Sequence, residues 1–253
     1  MLSWFKKQEP RFATPWGLIV DIHNHVLPGI DDGSADLIQS QFLLQGLASV
    51  GFQEVIATPH IAAGIYLNTP ETISSAFSTI IEADFEEKQM LQGFSAEYML
   101  DDYFDRQISR GLLCLPNAEQ KKYVLVELPY MDLPYHWHDS IFAMRKASYL
   151  PILAHPERYS YIKPSVMLER FRGTGLLFQL NLLSLSGYYG QEVMKLAHFY
   201  LKEGLYEFAG SDVHHANHLR GLQKMAADPV LSDLIAGYPF QNNAIFASAK
   251  HAR

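Results

Sequence analysis

Seven short apolar runs, separated mostly by segments of helical period, leave this chain few folds to choose from. The runs end near residues 20, 60, 99, 128, 156, 181 and 210. Helical segments are predicted over residues 35–50, 69–91, 101–110, 134–147, 165–173 and 190–203, with two short helices after residue 214. Leu37, Phe42, Leu43, Leu47 and Val50 recur at helical spacing before Gly51. Thr69-Pro70-Glu71-Thr72 offers a capping threonine followed by a first-turn proline. Strands alternating with helices at this pitch run parallel, in a barrel or a doubly wound sheet. The polar residues choose between the two. His23, His25, His60, Glu97, Glu127, His155, Asp212 and His214 fall at or just past the C-terminal ends of six of the seven runs. In a barrel those ends ring one mouth, whereas a doubly wound sheet builds its site at a switch point from fewer strands. An α/β barrel is expected.

The 253 residues carry no internal repeat, low-complexity tract or linker, which suits a single domain over residues 1–253. Residues 1–16, with Phe12, Pro15 and Trp16, read as a poorly patterned leader segment across its outside. The single Cys114 excludes an intramolecular disulfide framework and fits a reducing compartment. Residues 1–10 lack the apolar core of a signal peptide, and no apolar run approaches a membrane span. A cytoplasmic protein without membrane insertion is expected. The net charge of -7 argues against a nucleic-acid partner. Three bound divalent ions would bring that charge to about -1, so part of the acidity reads as a metal site.

The polar tip of the first run is the densest motif. In Asp21-Ile22-His23-Asn24-His25, residues two apart point to the same side of a strand, so His23 and His25 converge on one ion. The following Pro28-Gly29-Ile30-Asp31-Asp32-Gly33 turn brings two carboxylates back towards them. His-x-His alone is weak, and a solvated turn explains it as well. The joint placement of the set is harder to dismiss, because buried charges without partners are costly. His136-Trp137-His138 repeats the pattern at a helix start, where residues two apart do not share a face, and reads as surface. His215 and His218 read as flanking the mouth without binding metal. Tyr66, Tyr98, Tyr103, Tyr188 and Tyr189 are either aromatic walls for a substrate ring or ordinary core and rim.

Asp21-Ile22-His23-Asn24-His25, Asp31-Asp32-Gly33, Ala57-Thr58-Pro59-His60, Ala96-Glu97-Tyr98, Ala154-His155-Pro156-Glu157-Arg158-Tyr159, Gln179-Leu180-Asn181 and Ser211-Asp212-Val213-His214 together resemble the PHP (polymerase and histidinol phosphatase) family. The branch they are most similar to is the bacterial manganese-dependent protein-tyrosine phosphatases of capsule and exopolysaccharide biosynthesis. The resemblance runs from about residue 17 to 225 with its motifs in family order, and the Ala-His-Pro-Glu-Arg-Tyr string is particularly telling of that branch.

The resemblance implies a distorted (β/α)7 TIM-like barrel with three divalent metal ions, manganese first and iron or zinc as alternatives. It assigns His23, His25, Glu97 and Asp212 to one ion; Glu97 as a bridge, with Glu127 and His155, to a second; and Asp32, His60 and His214 to a third. Asp31 is the neighbouring alternative to Asp32. Arg158 and Arg220 are the expected clamps on the phosphate oxygens, with Asp32 and His214 counted among the catalytic residues. The implied activity is hydrolysis of phosphotyrosine monoesters by a metal-activated hydroxide, the substrate being the tail of a capsule-assembly tyrosine kinase. A histidinol phosphatase, or another small-molecule phosphomonoesterase on the same trinuclear site, is the alternative. Amidohydrolase barrels usually add a carboxylated lysine bridge, where this chain has Glu97 and Glu127. A non-catalytic metal-binding module is opposed by the complete ligand set. Cys114 lacks the Cys-x5-Arg loop of the unrelated cysteine phosphatases and reads as packing.

Overall fold

Each predicted strand has a counterpart among residues 15–162, 164 and 167–248, which the computed structural model describes. The strands are β1 (Val20–Asp21), β2 (Glu54–Ala57), β3 (His60–Ile61), β4 (Leu91–Phe94), β5 (Glu97–Met99), β6 (Lys122–Glu127), β7 (Tyr149–Ala154), β8 (Leu177–Asn181) and β9 (Phe208–Gly210). Nine strands occupy seven positions, because two predicted strands are interrupted. Thr58-Pro59 separates β2 from β3, where proline has no N–H to give a ladder, and Ser95-Ala96 separates β4 from β5. All pairings are parallel, in the orders β1-β2-β4 and β3-β5-β6-β7-β8-β9. Main-chain hydrogen bonds stitch the two sheets together. Asp212 N–H donates to His23 O (2.8 Å) and His25 N–H to Val213 O (2.9 Å), while Ser95 N–H reaches Ala57 O (2.8 Å) and Glu97 N–H reaches Pro59 O (3.0 Å).

The helices lie between the strands: α1 (Leu37–Ser49), α2 (Pro70–Glu82), α3 (Phe104–Arg110), α4 (Trp137–Lys146), α5 (Met167–Gly173), α6 (Gln191–Lys202), α7 (Ala216–Ala226), α8 (Pro229–Ala236) and α9 (Asn242–Phe246). Their starts follow local chemistry. Asp36 accepts the Gln39 N–H (2.8 Å), and Thr69 and Thr72 cap each other reciprocally ahead of α2. The helix predicted over 69–91 ends at Glu82, with Ala83 extended. Lys88 Nζ donates back to Ile81 O (3.0 Å) and Ala83 O (2.5 Å), and a short 3-10 turn, Glu86–Met90, leads into β4. Among the described residues, three helices follow residue 214 rather than two. Of the predicted leader, residues 1–14 lie outside the described part, and Trp16 is buried against Phe52. No helix among the described residues is long and apolar enough to cross a membrane.

Strand residues of alternating parity serve two cores. Val55, Val124, Val126 and Leu153 join the larger cluster with the helices, whereas Val20, Ile22, Ile56, Tyr123, Leu125, Ile152, Ala154 and Phe208 form a second. Phe246 of α9 packs into the second cluster against Tyr123 and Phe208, at 5.4 Å from each. Because the strands are parallel, their polar C-terminal tips gather on one side.

Candidate metal centre

Glu97 stands at the middle of that side, fully buried on β5. Its Oε2 lies 3.1 Å from His23 Nε2, 3.1 Å from His60 Nδ1 and 3.5 Å from His25 Nε2, while Oε1 lies 3.1 Å from His155 Nε2. Asp212 Oδ1 approaches His23 (3.3 Å), His25 (3.4 Å) and His214 (3.5 Å). Three groups have ligand atoms all within 4.8 Å of one another: His23, His25, Glu97 and Asp212; His25, Asp32, His60 and His214; and His60, Glu97 and Glu127. Eight of the nine residues expected as ligands, all but His155, therefore fall into these groups, but with different sharing. His25 and His60 each serve two groups, and His60, at 2.9 Å from Glu127 Oε1, stands where the expected assignment had His155. His155 reaches the groups through its contact with Glu97.

The imidazoles are aimed by partners behind them. His23 Nδ1–H donates to Gln179 Oε1 (2.8 Å), His25 Nδ1–H to Asp31 Oδ2 (2.7 Å) and His214 Nδ1–H to Asp212 O (2.9 Å), so each turns its Nε2 inward. Asp31 is thereby engaged, accepting the Gly33 and His60 N–H groups as well. Asp32 is left facing His60 Nε2 (3.5 Å) and His214 Nε2 (3.6 Å). The turn must come this close: a Cβ on Gly33 would stand 2.2 Å from His25 O. Replacing Gln179 with leucine should lower metal affinity 10- to 100-fold, on the usual scale for partners behind a ligating histidine, as read by metal titration.

Electrostatics show what the cluster lacks. Burial opposes a charge on His23, yet Glu97 and then Asp212 outweigh it and raise its pKa to about 9. His25 and His60 are also raised against burial, by Asp31 and by Glu97 respectively. Glu97 and Asp212 are held well below the usual carboxylate range despite their burial, chiefly by His23. Burial and then Glu97 push Glu127 up to about 6, while burial and then Arg158 push His155 down to about 4. Protons on imidazole thus supply positive charge that the carboxylates demand. Even so, His60 Nδ1, Glu97 Oε2 and His155 Nδ1 are buried with no hydrogen-bond partner. Divalent cations fit this site: they would engage the orphaned atoms of His60 and Glu97 and replace the protons, and mixed imidazole and carboxylate donors suit first-row metals.

Arg158 stands at the edge of the cluster. It donates to Asp212 Oδ2 (2.7 Å), which Asn181 Nδ2 also reaches (2.8 Å), leaving Oδ1 for the cluster. Its guanidinium lies 4.2 Å from the Tyr189 ring and 5.1 Å from that of Tyr130. Glu157 is buried and accepts from Asn181 N–H (3.0 Å), Ser184 Oγ (2.7 Å) and Tyr206 Oη (2.9 Å) rather than pairing with Arg158. Arg220 is exposed on α7, bonded to Asn217, and lines a separate cavity with Tyr188 and Lys224. His136 is exposed beside Asp139, and the His215 ring lies 4.1 Å from that of His218, which borders His214. Cys114 is half-buried with its thiol pKa raised by burial, which suits packing and not nucleophilic attack. Among the tyrosines, Tyr98 is core, while Tyr66 stacks on His60 at 5.2 Å. Gln179, Asn181 and Tyr130 were missed as site residues. Gln179 and Asn181 had a signal in their place at a strand tip; Tyr130, in a loop, had none.

A family model described as capsular polysaccharide synthesis, CpsB/CapC, matches residues 19–230. The tyrosine-protein phosphatase YwqE of Bacillus subtilis is 28% identical over 201 residues, 78% of each chain. The tyrosine-protein phosphatase CpsB of Streptococcus agalactiae is 24% identical over 206 residues, covering 78% of this chain and 83% of that one. A solved structure from work on YwqE of Bacillus subtilis and CpsB of Streptococcus pneumoniae, described as metal-dependent tyrosine phosphatases, superposes with a TM-score of 0.71 at 23% identity. That match covers 87% of this chain and 96% of the other.

Proposed function

The chain belongs to the CpsB/CapC family of capsular polysaccharide synthesis, and from that premise we propose that it is a metal-dependent phosphatase that hydrolyses phosphotyrosine in proteins. The observation that carries the reading is the convergence of four imidazoles on the single buried carboxylate of Glu97. We assign His23, His25, Asp32, His60, Glu97, Glu127, His155, Asp212 and His214 to metal binding. Three overlapping ligand groups support up to three ions, with Mn²⁺ first among them for this donor set. Bound divalent ions would supply a water ionised near neutral pH and positive charge against the phosphoryl oxygens.

The chain's own residues do the rest. Asp212 uses one oxygen for the cluster and the other for Arg158 and Asn181, so the guanidinium is held at the edge of the site with donors to spare. Arg158 is our candidate to grip a non-bridging phosphate oxygen, its guanidinium lying against the rings of Tyr130 and Tyr189. Arg220, one turn into α7, is a candidate for an outer contact with substrate. A phenolate leaves as a weaker base than an alkoxide (free pKa about 10), so the reaction asks less of a general acid. The half-buried single cysteine fits a cytoplasmic setting, and the tail of a capsule-assembly tyrosine kinase is the substrate this reading points to. Phosphate release by Mn²⁺-loaded protein, comparing a phosphotyrosyl peptide with L-histidinol phosphate at matched concentration, is the direct test. The peptide should be preferred; preference for histidinol phosphate would move the same site into amino-acid metabolism.

A further inference from the structure

A cavity of about 560 Å³ opens beside the metal centre, and Tyr66 is the wall the two share. The Tyr66 ring stacks on His60 with 11° between planes, and it also lines the cavity. Beyond Tyr66 the walls are Leu67 and Tyr103, with Gln107 and Arg110 of α3 on one side and Glu71 of α2 on the other. We propose that this cavity binds the polypeptide on one side of the phosphotyrosine, seating an apolar side chain against Leu67 and Tyr103 and an acidic one at Arg110. The proposal rests on the phosphotyrosine reading above and names the part of the substrate that the metal centre does not touch.

Three observations carry it. The volume lies in the range of ligand-binding clefts, and the Tyr66 ring that lines it stacks on His60 at 5.2 Å, so the cavity adjoins the reaction site. An extended chain advances about 3.3–3.6 Å per residue, so the two or three residues next to a phosphotyrosine held at the cluster reach roughly 7–11 Å, past the Tyr66 ring that stacks on His60 at 5.2 Å. A small phosphomonoester would end at the metal centre and leave the cavity unused. The chemistry of the walls is also that of a peptide groove. Leu67 is 76% exposed and its neighbour Ile65 68%, an apolar surface with no structural need to face solvent. Arg110 donates to the Tyr103 hydroxyl (3.3 Å), a neutral partner that takes one of its five N–H groups. Within a chain of net charge -7, that guanidinium is a local invitation to a carboxylate, and Glu71 across the cavity sets the direction in which an acidic residue is accepted.

The test compares two substrates on the metal-loaded full chain: a phosphotyrosyl peptide with leucine and glutamate beside the phosphotyrosine, and p-nitrophenyl phosphate, which has no flanks. Leu67→Ser and Arg110→Ala change exposed side chains, and metal content is measured in each. For the peptide, KM should rise about tenfold in either variant with kcat retained, the scale of one lost charged or apolar contact. For p-nitrophenyl phosphate, kcat and KM should not move. Arg110→Glu should reverse the preference, favouring a peptide with lysine in place of glutamate. The groove is overturned if both substrates change together, or if neither changes while wild type turns over the peptide. Failure of wild type to hydrolyse any phosphotyrosyl substrate would instead remove the phosphatase reading on which the groove depends.

Discussion

Glu97→Gln is expected to lower turnover of a phosphotyrosyl peptide by more than about a thousandfold, the scale on which loss of one member of a concerted unit is felt. The substitution keeps the side-chain shape and removes the charge. Among the described residues, Glu97 is the one whose two oxygens together meet His23, His25, His60 and His155, each within 3.5 Å. An amide offers one acceptor in place of two and no charge to hold a divalent ion, so two of the three ligand groups lose their common member. Metal content should fall in parallel with activity. Without that carboxylate the largest influence raising the His23 pKa is gone, so the His23 pKa of the variant should fall, as NMR would report. Near-normal turnover in Glu97→Gln would sink the assignment of the centre.

Chelated protein is expected to lose stability between pH 6.5 and 9, while metal-loaded protein holds it. In the metal-free chain His23 titrates at about 9, against an ordinary value of 6.5. A base whose pKa is raised on folding stabilises fully below its unfolded value, and the contribution disappears as pH rises through the folded value. His23 alone makes this loss on the order of 3 kcal/mol, and His25 and His60, also raised, act in the same direction. His155 and His214, lowered to about 4 and about 3, gain their stabilisation by pH 6.5 and add no slope above it. An ion binds the deprotonated ligands and competes with those same protons, so raising the pH tightens binding by as much as the proton-linked stability falls, and the loaded protein keeps a level stability. Thermal midpoints at pH 6.5 and 9, with chelator and with Mn²⁺, separate the two cases. Parallel curves would mean that the imidazole charges do not stand in for metal.

Much of the site was readable in one dimension because strands alternate strictly. Tyr123, Leu125 and Glu127 share a parity, so the carboxylate had to follow the two core residues onto the same side of β6. The polar residues at strand tips and the helix caps at Asp36 and Thr69 were local features of the same kind. The early end of the helix at Glu82 was not, because it depends on Lys88 folding back onto free carbonyls.

The sequence by itself determined which residue types stand at the strand tips, and hence that a ring of imidazoles and carboxylates would form if the strands ran parallel. Only the tertiary structure decided which atoms face each other. His155 shows why. Alternation from Ala154 would turn it towards the helices, and a residue before proline avoids helical dihedrals. It nevertheless sits at φ 38° and ψ 55°, held by its N–H on Gln179 O (2.8 Å) and its carbonyl under Arg158 N–H (2.9 Å), with Glu157 anchoring the turn. Left-handed backbone at a histidine costs on the order of 1–3 kcal/mol, which no local preference offsets. The surrounding contacts outweigh it, and those contacts join residues distant in sequence that only a folded chain brings together.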